Sequence, residues 1–92
     1  MPKNSNTSNR SESRYYTSKL LRDKAQSMGC CLRFARSQGV FELSLDNPQD
    51  KRWTWVMRPG TEERVRLIRE LTREEWDVAL RTAKEKLLTF KV

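Results

Sequence analysis

Residues 71–88 read LTREEWDVALRTAKEKLL and contain the clearest structural signal in the chain. Thr72 and Glu75 have the spacing of a capping box, in which each side chain bonds the other residue's backbone amide where a helix begins. Leu71 and Trp76 flank that box as a hydrophobic staple. The buried stripe of the helix is predicted to consist of Trp76, Ala79, Leu80, Ala83 and Leu87. We therefore predict an amphipathic helix over residues 73–88.

Three segments that precede this helix alternate in polarity with a period of two, which is typical of β-strands. They are residues 30–36 (CCLRFAR), 40–45 (VFELSL) and 52–58 (RWTWVMR). A short turn at residues 37–39 predicts that the first two segments pair as a hairpin. The sequence DNPQDK at residues 46–51 is a turn signal, because Asp, Asn and Pro favour turn conformations.

The bulky side chains of these strands are predicted to face the final helix. This set comprises Leu32, Phe34, Phe41, Leu43, Leu45, Trp53, Trp55 and Met57. The free face of the sheet would then carry Arg33, Glu42, Ser44, Arg52, Thr54, Arg58 and Arg66. Residues 64–71 (RVRLIREL) fit a strand or a helix, and we favour a strand because the next helix has its own start signal at Thr72.

The sequence of residues 1–28 predicts a disordered tail followed by a short helix. Residues 1–13 are basic and rich in Ser and Asn, with too little apolar surface to offset the entropy of ordering, so we expect a disordered tail. Residues 14–28 fit a helix that Ser13 could cap and Gly29 could end.

The predicted fold is therefore α+β: a three- or four-stranded antiparallel sheet with an N-terminal short helix and a C-terminal amphipathic helix packed on one face. Residues 14–92 are expected to form a single small domain, because 92 residues suffice for one modest core.

The charge distribution favours an anionic partner. The net charge of the 92 residues is +7. Residues 1–36 contain eight basic and two acidic side chains, whereas residues 37–92 contain eleven and ten. A positive field concentrated in the front third is typical of proteins that bind nucleic acid. The pattern leaves open DNA or RNA, one strand or two, and any sequence preference.

The composition argues against catalysis and metal binding. The chain has no histidine, which is the commonest general base and metal ligand. Its two cysteines, Cys30 and Cys31, are adjacent and cannot alone complete a zinc site, so they are interpreted as reduced thiols. No run approaches the roughly 18 apolar residues of a membrane span. We expect a non-enzymatic, intracellular, cytoplasmic protein without a cofactor.

Nucleic-acid contacts are predicted for the basic side chains of the tail, the first helix and the free sheet face. They are Lys3, Arg10, Arg14, Lys19, Arg22, Arg33, Arg36, Arg52, Arg58 and Arg66. Such side chains contact phosphates, which position a protein on nucleic acid without reading its sequence.

A protein-interaction module is the alternative function, as a small regulator, inhibitor or subunit of the kind that mobile genetic elements encode. Its surface would use apolar side chains on the free sheet face and near the chain ends. The candidates are Tyr15, Val40, Val56, Ile68 and Phe90, which could bind a partner or form a homodimer.

Three resemblances bear on this choice. The order of elements, a helix followed by strands and a second helix, resembles that of double-stranded RNA-binding domains. Those domains place lysines where the final helix begins. In this chain that position reads TREEW and contains Glu74 and Glu75 instead. The stretch VRLIRELTREEW, residues 65–76, is similar to the last strand and helix of the single-strand-binding coactivators, which also follow a serine-rich basic tail. Three strands followed by a helix resemble integrase arm-type DNA-binding domains. No residue roles are carried over from these families.

Overall fold

The computed structural model describes residues 14–89, so the predicted disordered tail and Phe90 lie outside the described residues. The elements are α1 (Ser18–Ser27), β1 (Cys30–Ala35), β2 (Val40–Leu45), β3 (Trp53–Trp55), a 3-10 helix (Ile68–Glu70) and α2 (Arg73–Thr89). The three strands form an antiparallel sheet in the order β1-β2-β3. The predicted α+β class is confirmed.

Helix α2 begins at the predicted capping box. The Thr72 amide donates to Oε1 of Glu75 at 2.9 Å, and the Glu75 amide donates to Oγ1 of Thr72 at 3.3 Å. Trp76 is fully buried, and its Nε1–H donates to the Ile68 carbonyl at 2.7 Å, which satisfies the one polar atom of the ring. All five residues of the predicted stripe are buried. This helix therefore supplies the centre of the core.

Strands β1 and β2 form the predicted hairpin, and β2 has the predicted bounds. Gly39 in the turn adopts φ of +70° and donates to the Ala35 carbonyl at 2.7 Å. A residue with a Cβ would be strained in that conformation, which explains glycine at this position.

Helix α1 begins at Ser18, four residues later than predicted, because Thr17 caps it by accepting from the Leu20 amide. The preceding segment is instead held against α2. The Tyr16 hydroxyl donates to Oδ1 of Asp77 at 2.6 Å, and burial together with that bond raises the pKa of Tyr16 to about 12. Leu21 and Ala25 enter the core, whereas Leu20 is exposed.

The predicted strand over residues 64–71 is wrong. Within that segment, Arg64 forms an isolated bridge with Met57, and a 3-10 helix follows at Ile68–Glu70. Between them, Val65 inserts into the end of the sheet: its amide donates to the Val56 carbonyl at 3.0 Å, and its carbonyl accepts from the Phe41 amide at 3.2 Å. Val65 alone thus extends the hydrogen bonding of the sheet, where a full strand was predicted.

The predicted orientation of β3 is also wrong. Leu43 pairs with Thr54, and the Val56 amide donates to the Phe41 carbonyl at 3.0 Å, so Thr54 and Val56 face the helices and are buried. Trp53 and Trp55 therefore point to the other side, and Trp53 is 46% exposed. The physical reason is that Trp76 already fills the core beside Phe41, with ring centroids 5.3 Å apart.

Arg52 precedes β3 and turns toward α2 instead of the free face. Its NH1 donates to the Leu87 carbonyl at 2.9 Å, near the helix end where cations are favoured. Its NH2 donates to Oδ2 of Asp50 at 2.7 Å. Hydrogen bonds from Arg52 hold the pKa of Asp50 at about 2, below its ordinary value of 3.8.

The core is one cluster to which both helices and one face of the sheet contribute. Helix α1 packs on β1, and α2 packs on β2 and β3. Lys84 of α2 donates to the Met28 carbonyl at 2.7 Å, which ties the C-terminal end of α1 to the same layer. The side chains that alternate with the core residues form the opposite sheet face, on which Val40 is nonetheless buried. We call it the outer face; it comprises Cys31, Arg33, Ala35, Val40, Glu42, Ser44, Trp53 and Trp55.

Loss of the capping box should measurably destabilise the protein. Thr72→Ala removes the acceptor for the Glu75 amide, and we expect the free energy of unfolding to fall by about 1 kcal/mol in urea denaturation. Thr82→Ala is the matched control, because it removes the same atoms from an exposed position inside α2 and should not destabilise. Equal losses in the two variants would contradict the assigned cap.

The contribution of Asp50 to stability should depend on pH. A carboxylate whose pKa is lowered by folding stabilises the native state above its unfolded pKa, and that contribution is lost as the pH falls through the folded pKa. The difference in unfolding free energy between wild type and Asp50→Asn should therefore be largest above pH 3.8, decrease steeply toward pH 2 and disappear below it. Asp23→Asn, in an exposed ion pair with Lys19, should have little effect throughout. A gap for Asp50→Asn that persists unchanged at pH 2 would contradict this.

Candidate nucleic-acid interface

The outer face brings two tryptophans and an arginine into one small area. The strand register aligns Cys31, Ser44 and Trp53 in one row across the sheet. The next row on the same face consists of Arg33, Glu42 and Trp55. Because residues directly opposite one another have Cβ atoms about 5 Å apart, each row is a set of neighbours.

The two tryptophan rings pack against each other at one end of these rows. Their centroids lie 4.8 Å apart with an interplanar angle of 77°, an edge-to-face contact. Trp55 is half-buried, whereas Trp53 is 46% exposed. The pair therefore presents an aromatic surface to solvent instead of closing into the core.

Arg64 adds a cation to this aromatic surface. The bridge between Met57 and Arg64 brings residue 64 alongside β3, and the guanidinium carbon lies 5.1 Å from the centroid of the Trp55 ring. That distance is within the range of a cation–π interaction, which orients the guanidinium while leaving its donors available. Arg64 is exposed, so those donors reach solvent.

Arg33 is the cation at the far end of the same row. Its side chain is 72% exposed, and its Nε lies 4.0 Å from Oε2 of Glu42, at the limit of an ion pair. An exposed pair at that separation contributes little and leaves the guanidinium able to take another anion. Glu42 is the acidic residue of the outer face, and its side chain is 21% exposed.

An arginine cleft of about 320 Å³ opens beside this row, between α1 and the β1–β2 hairpin. Three of the predicted contact residues line it: Arg22 from α1, Arg33 from β1, and Arg36 from the hairpin turn. Phe34 also lines it and is 46% exposed. The structure thus brings together three basic residues that the sequence placed on separate elements.

The other predicted contact residues are dispersed. Lys19 is paired with Asp23 at 2.9 Å, and Arg58 lies 4.0 Å from Glu63. Arg66 is exposed in the segment after the Met57 bridge, and Arg14 is exposed at the start of the described chain. Arg52 is turned under α2, as described above. Lys3 and Arg10 lie outside residues 14–89.

The residues predicted to form an apolar interaction patch do not form one within the described chain. Val40 is 3% exposed and Val56 is fully buried, because Val56 is hydrogen-bonded opposite Phe41 on the core face. Ile68 is partly buried and packs against the core. Tyr15 is half-buried with the Arg69 guanidinium 5.3 Å from its ring centroid, and Phe90 lies outside the described residues.

The two thiols are poorly suited to nucleophilic chemistry. Burial raises the pKa of Cys30, and burial together with a hydrogen bond to Asp46 raises the pKa of Cys31. Both shifts favour the thiol over the reactive thiolate. Within the part of the chain that the structure describes, no group of three or more Cys, Asp or Glu side chains could hold a metal ion. No helix among residues 14–89 is both long and apolar enough to cross a bilayer.

Sequence reasoning missed three residues of the interface. Trp53 and Trp55 were assigned to the core because bulky aromatics are usually buried, although their alternation with Thr54 and Val56 allowed either orientation. Arg64 has the same parity as the predicted contact residue Arg66, so the strand pattern contained its signal. The alternation of polarity alone could not predict which face of β3 is buried.

Comparison with protein-family models, with curated proteins and with solved structures finds no match to this chain.

Proposed function

We propose that this chain is a non-enzymatic nucleic-acid-binding protein that holds a single strand on its outer face. Trp53 and Trp55 stack on bases, and Arg33 and Arg64 contact phosphates. The basic front of the chain adds a general attraction for the polyanion.

The exposure of Trp53 beside Trp55 carries this proposal. A tryptophan that is 46% exposed leaves a large apolar surface in water, which costs free energy unless a partner covers it. Every base has a flat π-face, so an exposed aromatic ring can stack on any base, and proteins that bind single strands use this contact repeatedly. The edge-to-face packing against Trp55 holds the ring in place, so little freedom is lost on binding.

The positions of the two arginines support the same mode. Arg64 lies over Trp55, and Arg33 lies in the same row at the far edge of the sheet, so both cations share the face that carries the aromatic surface. A strand that crosses the outer face with its bases on the tryptophans would bring its phosphates near these guanidiniums. Arginine suits this role because its planar fork can donate two parallel hydrogen bonds to a phosphate.

A single strand fits the outer face better than a duplex. In a duplex the base faces are stacked on one another, and only their edges are accessible in the grooves. The tryptophans offer stacking surface and few hydrogen-bond donors for base edges. Sequence-tolerant binding of DNA or RNA is the consequence, since stacking does not distinguish bases strongly.

The protein-interaction alternative depends on an apolar patch whose central members are not at the surface. Val40 and Val56 are buried, and Ile68 packs against the core. The protein-interaction alternative still predicts a complex or homodimer that persists at high salt, because salt does not screen apolar contacts. Size-exclusion chromatography with light scattering at two salt concentrations tests for such a species.

Removal of the exposed indole should weaken binding without unfolding the protein. For Trp53→Ala we expect a loss of about 1–3 kcal/mol in the binding free energy for a twelve-nucleotide thymidine strand. The measurement is fluorescence anisotropy of an end-labelled strand at low salt. Trp53→Phe should retain most of the affinity, because a ring remains.

Leu67→Ala is the matched control for that experiment, since Leu67 is 64% exposed and lies outside the outer face. Its affinity should equal that of wild type. Unchanged binding by Trp53→Ala, with all three variants folded by circular dichroism, would show that the ring does not stack on bases.

The salt dependence of strand binding should reveal the phosphate contacts of Arg33 and Arg64. For a single strand, the slope of log K against log salt should become shallower by about 0.7 for each phosphate that the protein no longer neutralises. The double variant Arg33→Gln, Arg64→Gln should therefore have a shallower slope than wild type by about 1.4. The charge-matched control combines Arg81→Gln and Arg69→Gln, two exposed arginines off the outer face. A wild-type affinity that is flat in salt would be incompatible with phosphate contacts altogether.

A further inference from the structure

The arginine cleft has a charge that nothing in its walls balances. The residues that line it are Ser18, Leu21, Arg22, Leu32, Arg33, Phe34, Arg36, Phe41 and Ile68. All of them belong to the described chain, and none is acidic. Within residues 14–89, Arg22 and Arg36 are in no ion pair, and the pair of Arg33 with Glu42 is long at 4.0 Å. Three arginines therefore line a space of about 320 Å³ without a counter-charge in its lining.

The start of α1 reinforces this positive potential. Ser18, the first residue of this ten-residue helix, lines the cleft, and the first turn contains no acidic side chain. The amides at the beginning of a helix carry a partial positive charge that favours anions. The helix thus adds to the attraction that the three arginines already exert.

Phe34 provides an apolar surface next to these cations. It points to the core side of β1 but is 46% exposed, and its ring packs edge-to-face on Phe41 with centroids 5.0 Å apart. Part of the ring is therefore held by the core while the remainder borders the cleft. A ligand that combines an anion with a flat ring would use both features.

We propose that the arginine cleft binds a phosphate monoester carried by a nucleoside. A monoester has close to two negative charges at neutral pH and three terminal oxygens, which suits a cleft lined by several arginines better than the single charge of a phosphodiester does. The base or sugar of the same nucleotide would lie against Phe34. The ligand is either the phosphorylated end of a strand or a free mononucleotide, which share this chemistry.

Arg33 connects the cleft to the outer face. It lines the cleft and also stands in the row of Glu42 and Trp55, so the cleft opens where that row reaches the edge of the sheet. A strand bound across the tryptophans would therefore end at the cleft. Binding of a strand end rests on the proposed function, whereas binding of a free nucleotide does not.

The test compares four ligands with the full chain: a thymidine twelve-nucleotide strand with hydroxyl ends, the same strand with a 5′-phosphate or a 3′-phosphate, and thymidine monophosphate. Dissociation constants are measured by isothermal titration calorimetry at near-physiological salt. We expect one phosphorylated strand to bind about tenfold more tightly than the hydroxyl-ended strand, the gain of roughly one charge-assisted hydrogen bond.

The double variant Arg22→Gln, Arg36→Gln should abolish that preference, so that this variant binds the phosphorylated and the hydroxyl-ended strands with equal affinity. Neither residue belongs to the outer face, and both are exposed, so the fold should be retained. The control Arg81→Gln with Arg69→Gln should keep the preference. If the Arg22, Arg36 variant also retained it, the cleft would not be the phosphate site.

The remaining outcomes separate this inference from the proposed function. Equal affinity for all three strands, with no binding of the monophosphate, would overturn the cleft and leave the outer face standing. Binding of the monophosphate that requires Arg22 and Arg36, with no strand bound, would support the cleft as a nucleotide site and overturn the proposed function. No binding of any ligand would overturn both.

Discussion

The backbone hydrogen bonds among Phe41, Val56 and Val65 determine which side chains of β3 face the core and which face outward. Phe41 accepts from the Val56 amide, Val65 donates to the Val56 carbonyl, and Phe41 donates to Val65. This closed set fixes Val56 opposite Phe41 on the core face, and because side chains alternate along a strand, Trp55 must then point outward. The same constraint turns Arg52 toward α2. The outer face owes its composition to this register.

Much of the fold could be predicted because its signals are local. The capping box at Thr72 and Glu75, the stripe of α2 and the alternation in β1 and β2 each involve residues a few positions apart. The short final strand could not be predicted in the same way. Its two faces are both partly apolar, and the choice between them depends on Trp76, which is distant in sequence but already fills the space beside Phe41. The prediction of a strand over residues 64–71 failed for a similar reason. Val65 alone joins the sheet there, and its hydrogen-bond partners, Phe41 and Val56, lie outside that segment.

The candidate site was predictable in its charge but not in its arrangement. Arg33 and its neighbours in the first 36 residues were identified from composition, and the structure brings Arg22, Arg33 and Arg36 to one cleft. The grouping is a consequence of α1 packing on β1, which the linear pattern did not specify. Arg52 shows the converse case. A basic residue in a strand pattern looked available, yet Asp50 and the last turn of α2 occupy its guanidinium.

The three tryptophans occupy two different environments, and this gives the protein a built-in optical reporter. Trp76 is sealed inside with its indole N–H bonded to a carbonyl, while Trp53 and Trp55 lie together on the outer face. Their intrinsic emission should accordingly separate into a blue-shifted component that reports the integrity of the interior and a red-shifted component that reports what happens at the surface. A ligand that covers the outer face would quench one component and spare the other, without any attached dye.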